Sequence, residues 1–137
     1  MKKPPSDVKF LRAIYNLYHE EFLKYENDSS IRSGKNYVPI DVKEVGKKLD
    51  YDPELVFGRL YYHLEKKYGY KNDDKTIVHF FGLNVGGDPH CIHFPYLAAI
   101  LANMEEDTRK FNLATGLSIA ALVISVATAI LATITTS

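Results

Sequence analysis

A single cysteine, Cys91, stands in 137 residues, which rules out an internal disulfide framework and suits a reducing compartment. Net charge is missing too: 17 Lys and Arg balance 17 Asp and Glu, so nothing in the overall charge points to nucleic acid. The N-terminus, MKKPPSDVK, is basic but leads into polar residues instead of an apolar run, so no secretory signal is read there. The most informative shortage is local. Every Lys, Arg, Asp and Glu lies at or before Lys110, and the last 27 residues carry none. The near-neutral mean hydropathy of −0.18 therefore adds a polar domain to an apolar tail.

Residues 113–135 read LATGLSIAALVISVATAILATIT. As a helix they would extend about 34 Å, enough for a hydrocarbon core of about 30 Å. A domain of about 110 residues has too little core to surround such a helix on all sides. The expectation is a single transmembrane helix over 113–135, tail-anchored and inserted after synthesis. Arg109 and Lys110 precede it and only uncharged residues follow, which favours an N-terminal domain on the cytoplasmic side. Within it Ala114, Ser118, Ala121, Ser125, Thr128, Ala132 and Thr135 recur at alternating spacings of four and three. Small residues at a 3.5-residue repeat allow close left-handed helix packing in lipid, so a homo-oligomer through this seam is a candidate. A second row, Ala121, Ser125, Ala129 and Thr133, competes for the contact face.

The polar part opens with a cap pair, Ser6-Asp7, before apolar residues at helical spacing: Phe10, Leu11, Ile14, Leu17, Tyr18 and Phe22. That helix is expected to end near Tyr25, followed by a polar loop and a very short strand at Tyr37-Val38-Pro39. Asp41, with Glu44 three residues on, has the spacing of a capping box and starts a short helix buried through Val42, Val45 and Leu49. Asp52-Pro53 caps a longer helix over 54–67 that buries Val56, Leu60 and Leu64 with help from Phe57, and Gly69 ends it. Residues 76–83, TIVHFFGL, and 90–94, HCIHF, read as strands joined by a turn over 84–89 that contains Gly86-Gly87. A juxtamembrane helix over 96–112 then leads into the span.

The order helix, short strand, helix, turn, longer helix, hairpin, together with VPIDVKEVGKKLDYDPELVFGRLYYHLEKKYGY, resembles the winged helix-turn-helix superfamily over residues 6–95. The fold expected is therefore α+β: a winged helix-turn-helix domain, a juxtamembrane helix and one C-terminal transmembrane helix. In this resemblance Val42–Leu49 is the supporting helix, 53–67 the recognition helix and 76–94 the wing. It implies that Arg59 would pair with a guanine edge while Lys43, Lys47, Lys48, Lys66, Lys67 and Lys71 would meet phosphates. The charges argue otherwise. Residues 1–95 hold 15 basic and 14 acidic residues, with Glu54 at the start of the reading helix and Asp73-Asp74 before the hairpin. Tyr61, Tyr62, Tyr68 and Tyr70 form an aromatic group better suited to a protein partner. DNA and protein both stay open as partners of Arg59, Tyr61, Tyr62 and the lysines.

His79, His90, Cys91 and His93 fall on the hairpin, but one cysteine and no CxxC pair predict no metal site. The glycines at 82–87 lie in no strand-to-helix turn, and no nucleophile motif or catalytic carboxylate pair occurs. No enzyme and no cofactor are expected. The function expected is a membrane-tethered regulator or adaptor that binds a macromolecule at the cytoplasmic face. The alternative is a small membrane effector of the defence or toxin type, whose apolar helices oligomerise to perturb the bilayer.

Overall fold

A computed structural model describes residues 3–136. Ser6 opens the first helix: its backbone stays extended (φ −63°, ψ 162°) and its hydroxyl accepts the Lys9 N–H at 3.3 Å. That satisfies one of the donors left orphaned at a helix start. Helix α1 (Asp7–Lys24) buries Phe10, Leu11, Ala13, Ile14 and Tyr18 along one stripe. A 3-10 turn (Ser29–Ile31) follows, then strand β1 (Tyr37–Pro39).

Asp41 caps helix α2 (Val42–Leu49) by accepting the Lys43 N–H at 2.8 Å. Glu44 does not reach back to complete the capping box that its spacing suggests. Its carboxylate lies 3.1 Å from the Tyr18 hydroxyl, which also accepts the Asp41 N–H at 2.8 Å. The hydroxyl thereby ties α1 to the start of α2, and a tertiary partner wins over a local one. Asp50 closes α2 in the left-handed region (φ 52°). Gly46 lets the next turn pass close by, since a Cβ there would lie 2.5 Å from the Tyr51 carbonyl oxygen.

Asp52 and Pro53 start α3 (Pro53–Gly58), which continues without a break through a π-helical segment (Arg59–Leu64) into α4 (Glu65–Tyr68). Val56, Leu60 and Leu64 are fully buried along this helix 53–68. Beyond it the single strand expected over 76–83 is split in two. Strand β3 (Ile77–Val78) pairs with a strand unforeseen from the sequence, β2 (Tyr70–Lys71), while β4 (Phe81–Val85) pairs with β5 (Asp88–His93). The reason lies in Phe80 and Phe81, consecutive residues that are both buried. A flat strand points neighbours to opposite faces, so the chain must turn between them. Side chains take over the backbone donors at the turn: Tyr37 Oη accepts the His79 N–H (3.2 Å) and Glu65 Oε2 accepts the Phe81 N–H (2.6 Å).

The β4–β5 hairpin closes through Gly86 and Gly87, whose φ values of 58° and 94° are those of a two-residue loop with positive φ at both central positions. β5 is central in the sheet order β1-β5-β4, with Tyr37 opposite His93 and Val38 opposite Ile92. Pro39 sits on edge strand β1, where its missing N–H breaks no ladder.

Helix α5 runs Phe94–Thr135. Phe94, Leu97, Ile100 and Leu101 are buried, and the first compact unit ends at Leu101. The second unit begins at Ala102. From Asp107 onward every described side chain is exposed.

Candidate functional site

The outward face of helix 53–68 carries three of the large side chains that the fold leaves bare, with Leu23, Tyr70, Ile77 and Leu83 exposed elsewhere on the domain. Leu55 is 53% exposed, Tyr61 39% and Tyr62 71%. They form a supported surface: Tyr61 stacks on Phe57 (5.6 Å between centroids) and meets Tyr62 edge to face at 4.9 Å. Phe57 rests in turn on Phe81 and His90 at 5.9 and 5.6 Å. A shallow groove beside this face is lined by Pro4, Tyr51, Leu55, Gly58, Tyr62 and His63, among others.

Arg59 lines the same groove, but its guanidinium is tied to the start of α1. Its guanidinium donates to Asp7 Oδ1 at 2.7 Å and to the Pro5 carbonyl at 2.5 Å, and lies over the Phe10 ring at 4.7 Å. The planar fork suited to a base edge is thus spent on the start of α1. Lys47, Lys48, Lys66, Lys67 and Lys71 are all exposed, with Lys67 over the Tyr68 ring at 5.2 Å. The structure brings Tyr61 and Tyr62 together, places Lys47 and Lys48 at the end of α2, Lys66 and Lys67 at the end of helix 53–68 and Lys71 on β2, and binds the Arg59 guanidinium to Asp7 and the Pro5 carbonyl.

Three functional groups of the fold escaped the sequence. Arg32, 6% exposed, donates to the carbonyls of Glu21 and Phe22 at the end of α1 and to those of Gly34 and Lys35. Glu65 clasps the strands, one oxygen on the Phe81 N–H and the other 3.0 Å from His79 Nδ1. Burial raises the Tyr18 hydroxyl well above its usual range, with the Glu44 contact adding to it. No motif marks these residues, because each depends on carbonyls or donors brought from other elements.

The hairpin histidines and the cysteine have separate tasks. His79 faces Glu65, and His93 Nδ1 accepts the Tyr96 N–H at 3.2 Å. Burial pushes the Cys91 thiol up to about 11, with the Asp88 carboxylate adding to the rise, so it is a poor thiolate. Among the described residues no three His, Cys, Asp or Glu side chains converge to hold a metal ion.

In the second unit Ala114, Ser118, Ala121, Ser125, Thr128, Ala132 and Thr135 are exposed on α5. The hydroxyls of Ser118, Ser125, Thr128 and Thr135 donate back to the carbonyls of Ala114, Ala121, Ile124 and Leu131 at 2.9–3.0 Å. These back-bonds satisfy the donors that hydrocarbon would leave bare.

Fold and surface together define a mixed helix-and-sheet domain whose last helix is long and apolar enough to cross a membrane, with a mean hydropathy of 2.4 in its apolar window and none of that window buried. Comparison with family models, curated proteins and solved structures finds no match.

Proposed function

We propose that the chain is a membrane-tethered adaptor of winged-helix type that docks a protein partner on helix 53–68 at the cytoplasmic face. The observation that carries this reading is the exposure of Leu55, Tyr61 and Tyr62 on this helix, with the two tyrosines in ring contact and the neighbouring Arg59 guanidinium already paired with Asp7. Aromatic anchors of low rotamer entropy suit a protein interface, and Arg59, the side chain with the fork to read a base edge, is already spent within the domain. The winged-helix part is supported by the element order and by the sheet order β1-β5-β4, in which the first strand adds to the returning strand of a hairpin. The tether is supported by the length and hydropathy of α5, and its orientation by Arg109 and Lys110. The reading assigns no catalysis and no cofactor.

The test places a photo-crosslinking side chain at position 62 of the full-length chain in native membranes. The expected result is one saturable protein adduct that weakens at least tenfold when Leu55→Ala and Tyr61→Ala are added. Adducts that ignore those substitutions would overturn the docking face. A salt-sensitive gel shift on duplex DNA, lost in Lys47→Ala/Lys48→Ala, would replace protein with DNA.

A second reading, the oligomerising membrane effector, is favoured by the seam of small residues from Ala114 to Thr135, which is exposed along α5. Ser125→Leu abolishing membrane depolarisation on overexpression would favour it over the adaptor.

A further inference from the structure

We propose that His93 is an acid-sensitive cap on helix α5, so that protonating one imidazole loosens the first turns of the helix that continues into the apolar segment. His93 is the last residue of β5 and directly precedes α5. Its Nδ1 accepts the Tyr96 N–H at 3.2 Å, three residues into the new element, which is what an N-cap side chain does. Imidazole is an unusual group for that position because its acceptor titrates near neutrality. The neutral ring with its proton on Nε2 can accept. The imidazolium carries a proton on both nitrogens, leaves the Tyr96 N–H facing a donor, and sets a positive charge at the positive end of the helix. Both effects have the same sign.

The surroundings offer the cation little compensation. From β1 the Tyr37 ring meets His93 edge on at 4.9 Å, and from α5 the Tyr96 ring stands perpendicular at 6.0 Å. On the β4 side the His93 N–H goes to the Phe80 carbonyl at 2.9 Å. Glu65, the carboxylate of this aromatic neighbourhood, holds the Phe81 N–H and faces His79 instead. On the α1 side His19 and Tyr15 contact Phe94. Burial accordingly holds the His93 imidazole below its usual value, with its own backbone carbonyl opposing. A lowered histidine contributes stability that is present above the unfolded value of about 6.5 and lost as pH falls through the folded one. The window therefore opens near pH 6.5 and extends downward. What loosens includes Leu97, Ile100 and Leu101, the core contribution of α5.

The full-length chain in mild detergent, compared at pH 7 and pH 5 by amide hydrogen exchange corrected for intrinsic chemistry, tests the cap. Protection over residues 96–101 should fall about fivefold, the size of one lost cap hydrogen bond, while the amides of α1 keep theirs. His93→Asn supplies a non-titrating acceptor and should hold the pH 7 protection at pH 5. Nitrogen-15 spectra of the wild-type imidazole give a readout that needs no variant: the Nε2–H tautomer at pH 7 and a midpoint below 6.5 are expected. An Nδ1–H tautomer, protection that ignores pH, or an equal acid loss in His93→Asn would each overturn the proposal.

Discussion

Replacing Arg32 by alanine is the sharpest probe of this fold, because one buried side chain there serves four carbonyls. The guanidinium donates to Gly34 at 3.0 Å, Glu21 at 3.1 Å, Phe22 at 3.2 Å and Lys35 at 2.8 Å, and lies over the Tyr25 ring at 5.1 Å. Two of those carbonyls belong to the last turn of α1, where the orphan oxygens and the negative end of the helix dipole favour a cation. A hydrogen bond to a charged donor contributes about 1.5–3 kcal/mol net. Water entering the space left by Arg32→Ala would recover part of four such bonds, so the expected loss is about 3 kcal/mol. That is a large share of the roughly 5–15 kcal/mol that holds a domain folded. At about 4–8 °C per kcal/mol for a domain of this size, the midpoint should fall by at least about 12 °C. The assay is thermal and urea unfolding of the full-length chain in mild detergent, followed by tyrosine near-ultraviolet circular dichroism. Arg32→Lys separates charge from geometry, because a compact ammonium cannot span carbonyls on two segments and should recover less than half of the loss. A loss under 0.5 kcal/mol for Arg32→Ala, or full recovery in Arg32→Lys, would refute the reasoning.

Gly86→Ala should cost about 2–3 kcal/mol, combining left-handed backbone strain with a Cβ placed 2.6 Å from Ser33 Cβ and Oγ. Urea titrations should show at least 1 kcal/mol of that cost relieved in a Ser33→Gly background, whereas Gly87→Ala, which meets nothing, should show no such coupling. Asp88 lies below the usual carboxylate range because it accepts the Ser33 N–H at 2.8 Å. A depressed carboxylate stabilises above its unfolded value of about 3.9, and the contribution is lost as pH falls through the folded one. Asp88→Asn should therefore flatten the acid limb of the stability profile below about pH 4; an unchanged acid limb would remove Asp88 from its causes. Leu122→Lys adds about 3–4 kcal/mol to the cost of inserting the α5 segment, and alkaline carbonate should then extract the protein from membranes that retain the wild type.

Local chemistry is what the amino-acid order settled. Ser6, Asp41 and Asp52 cap their helices, Gly86-Gly87 turns the hairpin, and the charge-free run after Lys110 becomes one long apolar helix, because each depends on a few neighbouring residues. The helical spacing of Phe10, Ile14, Val56, Leu60 and Leu64 likewise announced which faces would be buried. Tertiary structure decided whatever required partners from distant segments. It split residues 76–83 because Phe80 and Phe81 both enter the core, and it gave Glu44 to Tyr18 instead of its own helix start. It also buried Phe94, Leu97, Ile100 and Leu101, so that the first turns of α5 belong to the core of the first unit. Most consequentially, it paired the Arg59 guanidinium by placing Asp7 and the Pro5 carbonyl beside it, while Leu55, Tyr61 and Tyr62 on the same helix stay exposed. A helical period tells which side of a helix is apolar. It cannot tell where a long, flexible cation will find its carboxylate, because that depends on residues more than fifty positions away.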